Sequence, residues 1–159
     1  MTLTVAPVTK QIVVDVGAQR AFDVFTAGIA TWWPLATHHI GAADAETVLV
    51  EPRVGGRMVE RGIDGAECVW GHVRVWEPPR RFVFSWEISA DWQIDPTIGS
   101  EVEVRFVEET PTRTRVELEH RGLEAFGERA QEMRASFDSD GGWNGLLRMF
   151  ADRAIAAAP

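Results

Sequence analysis

The chain has 159 residues, a net charge of −8, a pI near 5.0 and one cysteine, Cys68. A single cysteine excludes an intrachain disulfide and a cysteine-built zinc site, and an acidic surface repels phosphate backbones, so nucleic acid is not an expected partner. Seven tryptophans and no tyrosine set the chain apart, since each indole offers a large flat apolar area with one N–H donor.

The length suits one domain, 1–159, with an ordered core over about 11–157. The opening "MTLTVAPVTK" lacks a basic segment followed by an apolar run, so no signal peptide is expected. No run approaches the ~20 apolar residues of a membrane span. A soluble, cytoplasmic protein is the default expectation. Residues 1–10 read as a weakly ordered lead, and "QIVVDV" (11–16) as a strand. In "AQRAFDVFTAGIATWW", Phe22, Phe25, Ile29 and either Trp32 or Trp33 share one face of an amphipathic helix, which Pro34 ends.

A polar loop leads to a strand at "TVLVEP" (47–52). Two strands joined at "IDG" follow; the second, about 67–76, is expected to bend at Gly71. "RFVFSW" is a further strand, and "DWQIDPTIG" a loop. "SEVEVRFVEE" and "TRVELEHRGL" alternate strictly, as antiparallel strands with one wet face do. Two helical patterns close the chain, "LEAFGERAQEMRA" and "GGWNGLLRMFADRAIAA", the second capped by Ser139 or Asp140. The order predicts an α+β domain, a curved antiparallel sheet of about six to seven strands wrapped around a long C-terminal helix. Sheet twist leaves a gap along such a helix, a natural ligand cavity.

The segments "AFDVFTAGIATWWP", "EPRVGGRMVE", "DGAECVWGHVRVWEPPRRFVFSW", "TRVELEH" and "GGWNGLLRMF", in that order, resemble the START-like (SRPBCC, Bet v 1-like, helix-grip) superfamily. Within it, the chain is similar to homologues of the C-terminal domain of the heat-shock-protein-90 ATPase activator. The resemblance implies a hydrophobic cavity and no fixed catalytic set; the superfamily includes lipid carriers, hormone receptors and polyketide cyclases. The eukaryotic activator's separate N-terminal domain contributes to chaperone binding and has no room here, so a chaperone partner is not expected.

Alternation places Val104, Phe106, Leu118 and His120 inward on the last two strands, and Phe84 and Trp86 inward on "RFVFSW". Met58 and Glu60 are read as inward because Arg57 and Arg61 share the other face. Trp70 is read as inward, with Cys68 and His72 in its alternating set, while a bulge at Gly71 leaves Val69, Val73 and Val75 as the alternative. Trp33, Trp143 and Leu147 complete the expected ligand-binding set, with Glu60 and His120 as its polar contacts. His38 and His39 lack a third ligand at metal spacing, so no metal and no cofactor is expected; one of them is a candidate for the cavity rim. Cys68 is read as buried and inert. The leading functional expectation is a protein that binds a hydrophobic or aromatic small molecule. The alternatives are a cyclase or hydrolase using Glu60 and His120 as acid and base, and a chaperone-linked or homodimeric module using Trp76 and Trp92 as an exposed patch.

Overall fold

Apolar–polar alternation builds seven strands: β1 (Val8–Val14), β2 (Ala45–Val50), β3 (Arg57–Gly62), β4 (Glu67–Glu77), β5 (Arg81–Trp86), β6 (Ser100–Thr110) and β7 (Arg113–Arg121). In the computed structural model, which describes residues 4–156, they form one antiparallel sheet in the order β1-β7-β6-β5-β4-β3-β2. Strands β2 to β7 are thus a meander, and β1 closes its far edge. The connection from β1 to β2 carries α1 (Ala18–Phe25), and the chain ends in α2 (Ala130–Asp138) and α3 (Trp143–Ala156). This is the α+β helix-grip architecture expected from the sequence.

The first strand starts earlier than its β-branched run suggests. Thr9, Lys10 and Gln11 pair with Glu119, Leu118 and Glu117 of β7, and Val5 and Val8 are buried. Lys10 hides the alternation because its ammonium reaches over the sheet to Asp138 of α2, at 2.7 Å. Residues 4–10 are therefore part of the packed unit rather than a loose lead; residue 157 lies outside the described residues.

Helix α1 does not run to Trp33. The Thr26 hydroxyl bonds back to Phe22 O at 2.8 Å, the helix stops, and a single 3-10 turn, Ile29–Thr31, follows. Side-chain hydroxyls that compete for helix carbonyls favour such ends. Phe22 and Phe25 still face inward, meeting Trp76, Phe82, Phe106 and Phe150 with ring centroids 5.1–6.3 Å apart. Trp32 joins this core beside Phe25 and Phe150, its N–H on Val24 O. The aromatic cluster fills the sheet's interior solidly at this end.

The C-terminal segment is broken twice. Gly127, with a φ of 60°, kinks the 3-10 stretch Leu123–Arg129 from within, just before α2. Neither Ser139 nor Asp140 caps α3: the Ser139 hydroxyl donates to Ser136 O, and the Asp140 carboxylate accepts from Asn144 and Arg148.

Strand β4 carries two irregularities, one where β3 pairing slips past Gly71 and one at Arg74. A Cβ on Gly71 would sit 1.6 Å from Ser85 O, so only glycine fits. The slip sets the phase the sequence left open: Trp70 and Val73 are buried inward, and His72 turns out to bond Glu87 at 2.8 Å. Trp76 is half-buried, its ring packed on Phe22 and Phe82, so it is not the exposed aromatic that the patch reading needs.

Candidate functional site

The open space lies toward one end of the sheet, where the aromatic filling stops. A partly open cavity of about 320 Å³ is lined by Trp33, the loop 37–40, Trp70 of β4, Trp86 of β5, Ile88, Trp92 and the α2–α3 junction from Ser136 to Leu146. Four indoles make its wall. Trp33 stands 5.1 Å from Trp70 and 6.2 Å from Trp143, and Trp86 stands 5.9 Å from Trp143, centroid to centroid.

Three of these four N–H groups are held by the protein. Trp33 Nε1 donates to His38 O at 3.0 Å, Trp70 Nε1 to Glu60 Oε1 at 3.0 Å, and Trp143 Nε1 to His120 Nδ1 at 3.1 Å. The buried Trp86 Nε1 has no partner among the described residues. The wall is thus largely indole carbon, with three of its four N–H groups engaged in the protein and that of Trp86 buried without a partner among the described residues.

Glu60 and His120 are those anchors. Glu60 is 1% exposed, yet its carboxylate is satisfied: besides Trp70 it accepts the amides of Ile40 at 2.7 Å and Gly41 at 2.8 Å. A buried carboxylate with such donors needs no counter-ion. It ties the loop over the cavity to β3 and β4. His120, fully buried on β7, accepts from Trp143 at Nδ1, so its proton sits on Nε2, toward Ser100 Oγ at 3.4 Å. Burial pulls its pKa down to about 3, which makes it a neutral structural imidazole.

Three strands separate β3 from β7, and the two groups stand behind different indoles. The structure therefore does not bring Glu60 and His120 together as an acid–base pair. Of the expected set, Trp33, Trp70, Trp86 and Trp143 border the cavity. Met58, Phe84, Val104, Phe106, Leu118 and Leu147 lie in the packed core instead, because aromatic side chains from α1 and α3 already occupy that part of the sheet. On α3 it is Leu146, one position before Leu147, that reaches the space.

Sequence reasoning missed Ile40, Ile88, Trp92, Phe137 and Leu146. Trp92 had a signal, a large aromatic in a polar loop, but nothing local to aim it. It is 44% exposed and holds a left-handed φ of 60°, edge-on to Phe137 at 6.4 Å. Such a conformation is uncommon for a bulky residue.

Both histidines of the loop border the cavity. His38 Nε2 reaches Gly141 O at 2.8 Å and its Nδ1 meets Thr37 Oγ1 at 2.8 Å, so it clasps the loop to the α2–α3 junction. His39 Nδ1 bonds Gly41 O at 2.9 Å. Among the described residues no three His, Cys, Asp or Glu side chains are grouped as metal ligands. Cys68 is half-buried, its thiol pushed up by burial and by the Glu60 and Asp64 carboxylates, and so is a poor nucleophile. No helix among the described residues is long and apolar enough to cross a membrane.

A family model, activator of Hsp90 ATPase homolog 1-like protein, matches residues 15–154. No curated protein matches at a significant level. Among solved structures, the chain is 37% identical to Txn09, an anthrahydroquino-γ-pyrone synthase complexed with SUM, covering 93% of this chain and 96% of that one at a TM-score of 0.65. It is 28% identical to CalC, a self-sacrificing resistance protein from Micromonospora echinospora, with 94% of each chain covered and a TM-score of 0.71. The Aha1 dimer from Colwellia psychrerythraea shares the fold at 12% identity, over 98% of this chain and 100% of that chain, at a TM-score of 0.64.

Proposed function

The chain belongs to the activator of Hsp90 ATPase homolog 1-like family, and from that premise we propose that it is a binding protein for a planar, aromatic small molecule. One observation carries the reading: four indoles, Trp33, Trp70, Trp86 and Trp143, line one cavity, and three of them turn their N–H groups into the protein. A wall of ring carbon favours a flat, apolar partner that stacks on it or meets it edge to face. The volume of about 320 Å³ is in the range of small-molecule sites. Trp92, half-exposed at the mouth, supplies a further surface for the ligand to cover.

A second reading, a ring-forming enzyme acting on such a molecule, is favoured by the 37% identity to an anthrahydroquino-γ-pyrone synthase. Its proton-transfer groups would come from the cavity rim, not from Glu60 and His120. A chaperone-linked or self-associating module has less support, because Trp76 is half-buried against Phe22 and Phe82, and Trp92 borders the cavity instead.

Titration with fused-ring aromatics, followed by tryptophan emission and by melting temperature, tests the leading reading. Ligand present at ~100 times its Kd should stabilise the fold by about 2.7 kcal/mol. If fused bicyclic and tricyclic aromatics leave both emission and melting unchanged, the reading fails. Conversion of a bound aromatic precursor to a new ring would favour the enzyme.

A further inference from the structure

We infer that the ligand carries a phenolic or enolic hydroxyl and that His39 selects for it; the inference rests on the aromatic-ligand reading above. Most polar atoms around the cavity are already committed. Three wall indoles donate into the protein, His38 uses both ring nitrogens, and the Ser139 hydroxyl donates to Ser136 O. His39 differs. Its Nδ1 lies 2.9 Å from Gly41 O, and a carbonyl only accepts, so Nδ1 carries the proton and Nε2 of the neutral ring keeps its lone pair. Nε2 has no hydrogen-bond partner among the described residues, and the residue borders the cavity. The ring's aim is fixed from behind, because the Gly41 amide is held by Glu60 Oε2 at 2.8 Å.

An acceptor at the edge of an indole-lined space loses its water when an apolar ligand enters. The loss is made good only if the ligand brings a donor. At Nε2 a ketone or ether would set lone pair against lone pair, whereas the unpartnered Trp86 N–H of the wall only donates and can serve the oxygen of a phenol, an ether or a ketone alike, so it does not separate phenol from ether. A phenol brings an O–H, on a ring that the indoles already favour. Ser136, whose hydroxyl also bonds no described side chain or carbonyl, donates or accepts and so does not discriminate; His39 does.

Calorimetric titration with a hydroxyphenanthrene and with its methyl ether, at mildly alkaline pH, tests this. Wild type should bind the phenol about tenfold more tightly than the ether, the ratio expected of one satisfied hydrogen bond. His39→Phe should lose that preference by weakening the phenol alone. His39→Gln, whose carbonyl can stand near the place of Nε2, should keep part of it, and decides the matter if His39→Phe melts early. Equal binding of both probes to wild type, or equal weakening of both in a folded His39→Phe, overturns the role of His39 while leaving the aromatic pocket standing. Binding of neither probe to wild type overturns both.

Discussion

The Glu60 carboxylate accepts the Trp70 indole N–H at 3.0 Å while its same two oxygens hold the amides of Ile40 and Gly41 at 2.7 and 2.8 Å. One side chain thus sets a wall indole and the loop across from it. A carboxamide offers only one oxygen, so in Glu60→Gln at least one of the three donors meets an NH₂ group. An unsatisfied buried donor costs about 1–3 kcal/mol, and we expect a loss of about 2 kcal/mol in urea denaturation. Affinity for a fused-ring aromatic should fall with it, since Trp70 and residues 38–41 lose their shared anchor.

His120 makes the fold acid-sensitive before its carboxylates do. Its pKa is held at about 3 against 6.5 in the unfolded chain, by burial. Above 6.5 both states are neutral and the stability is intact. Between 6.5 and 3 only the unfolded state takes up the proton, so stability falls with pH, by up to about 1.4 kcal/mol per unit. Glu103 acts lower down. Burial works to raise its pKa, but hydrogen bonds from Arg81, Arg121 and Arg105 outweigh burial and hold it at about 2 against 4.5; its stabilisation is lost only below 4.5. Wild type should therefore weaken from near pH 6.5 downward in urea titrations. His120→Asn, which keeps an acceptor for Trp143, should hold level until near 4.5.

How much of this was legible follows from which residues act locally. Strands β6 and β7 were plain because Val102, Val104, Phe106 and Val116, Leu118, His120 alternate without interruption. β1 was obscured by Lys10, whose partner Asp138 is remote in sequence. The tryptophans marked an aromatic site, and Glu60 and His120 were visible as polar residues on a buried face. Whether they pointed into the cavity or behind its wall depended on donors 10 and 23 residues away in the chain, Trp70 and Trp143, which no local pattern encodes. His39 could not be told from His38, because they differ in partners that no local pattern encodes: His38 engages both ring nitrogens, on Thr37 and Gly141, and His39 only Nδ1, on Gly41.

Gly71 tests the bulge that aims Trp70. Its Cβ position lies 1.6 Å from Ser85 O and 2.7 Å from Ser85 C, both backbone atoms that cannot rotate away. Gly71→Ala must push β4 off β5 or undo the bulge, and either change turns Trp70 from the cavity. We expect destabilisation of more than about 2 kcal/mol, in line with overpacking against fixed structure. Red-shifted tryptophan emission, from an indole newly exposed to water, should accompany it.

Trp92 separates ligand binding from folding. Its φ of 60° suits glycine better than any bulky residue, and with 44% of its surface exposed it adds little to the core. Trp92→Gly relieves the backbone strain, about 1 kcal/mol or more, while giving up the edge contact with Phe137. The two effects oppose each other, so stability in urea should change by less than about 1 kcal/mol. Affinity for a fused-ring aromatic has no such compensation. The exposed indole at the mouth is the surface a seated ligand would cover, and its loss should weaken binding about tenfold, the scale of one good aromatic contact. Unchanged affinity together with unchanged stability would show that the strained tryptophan does not serve the cavity at all.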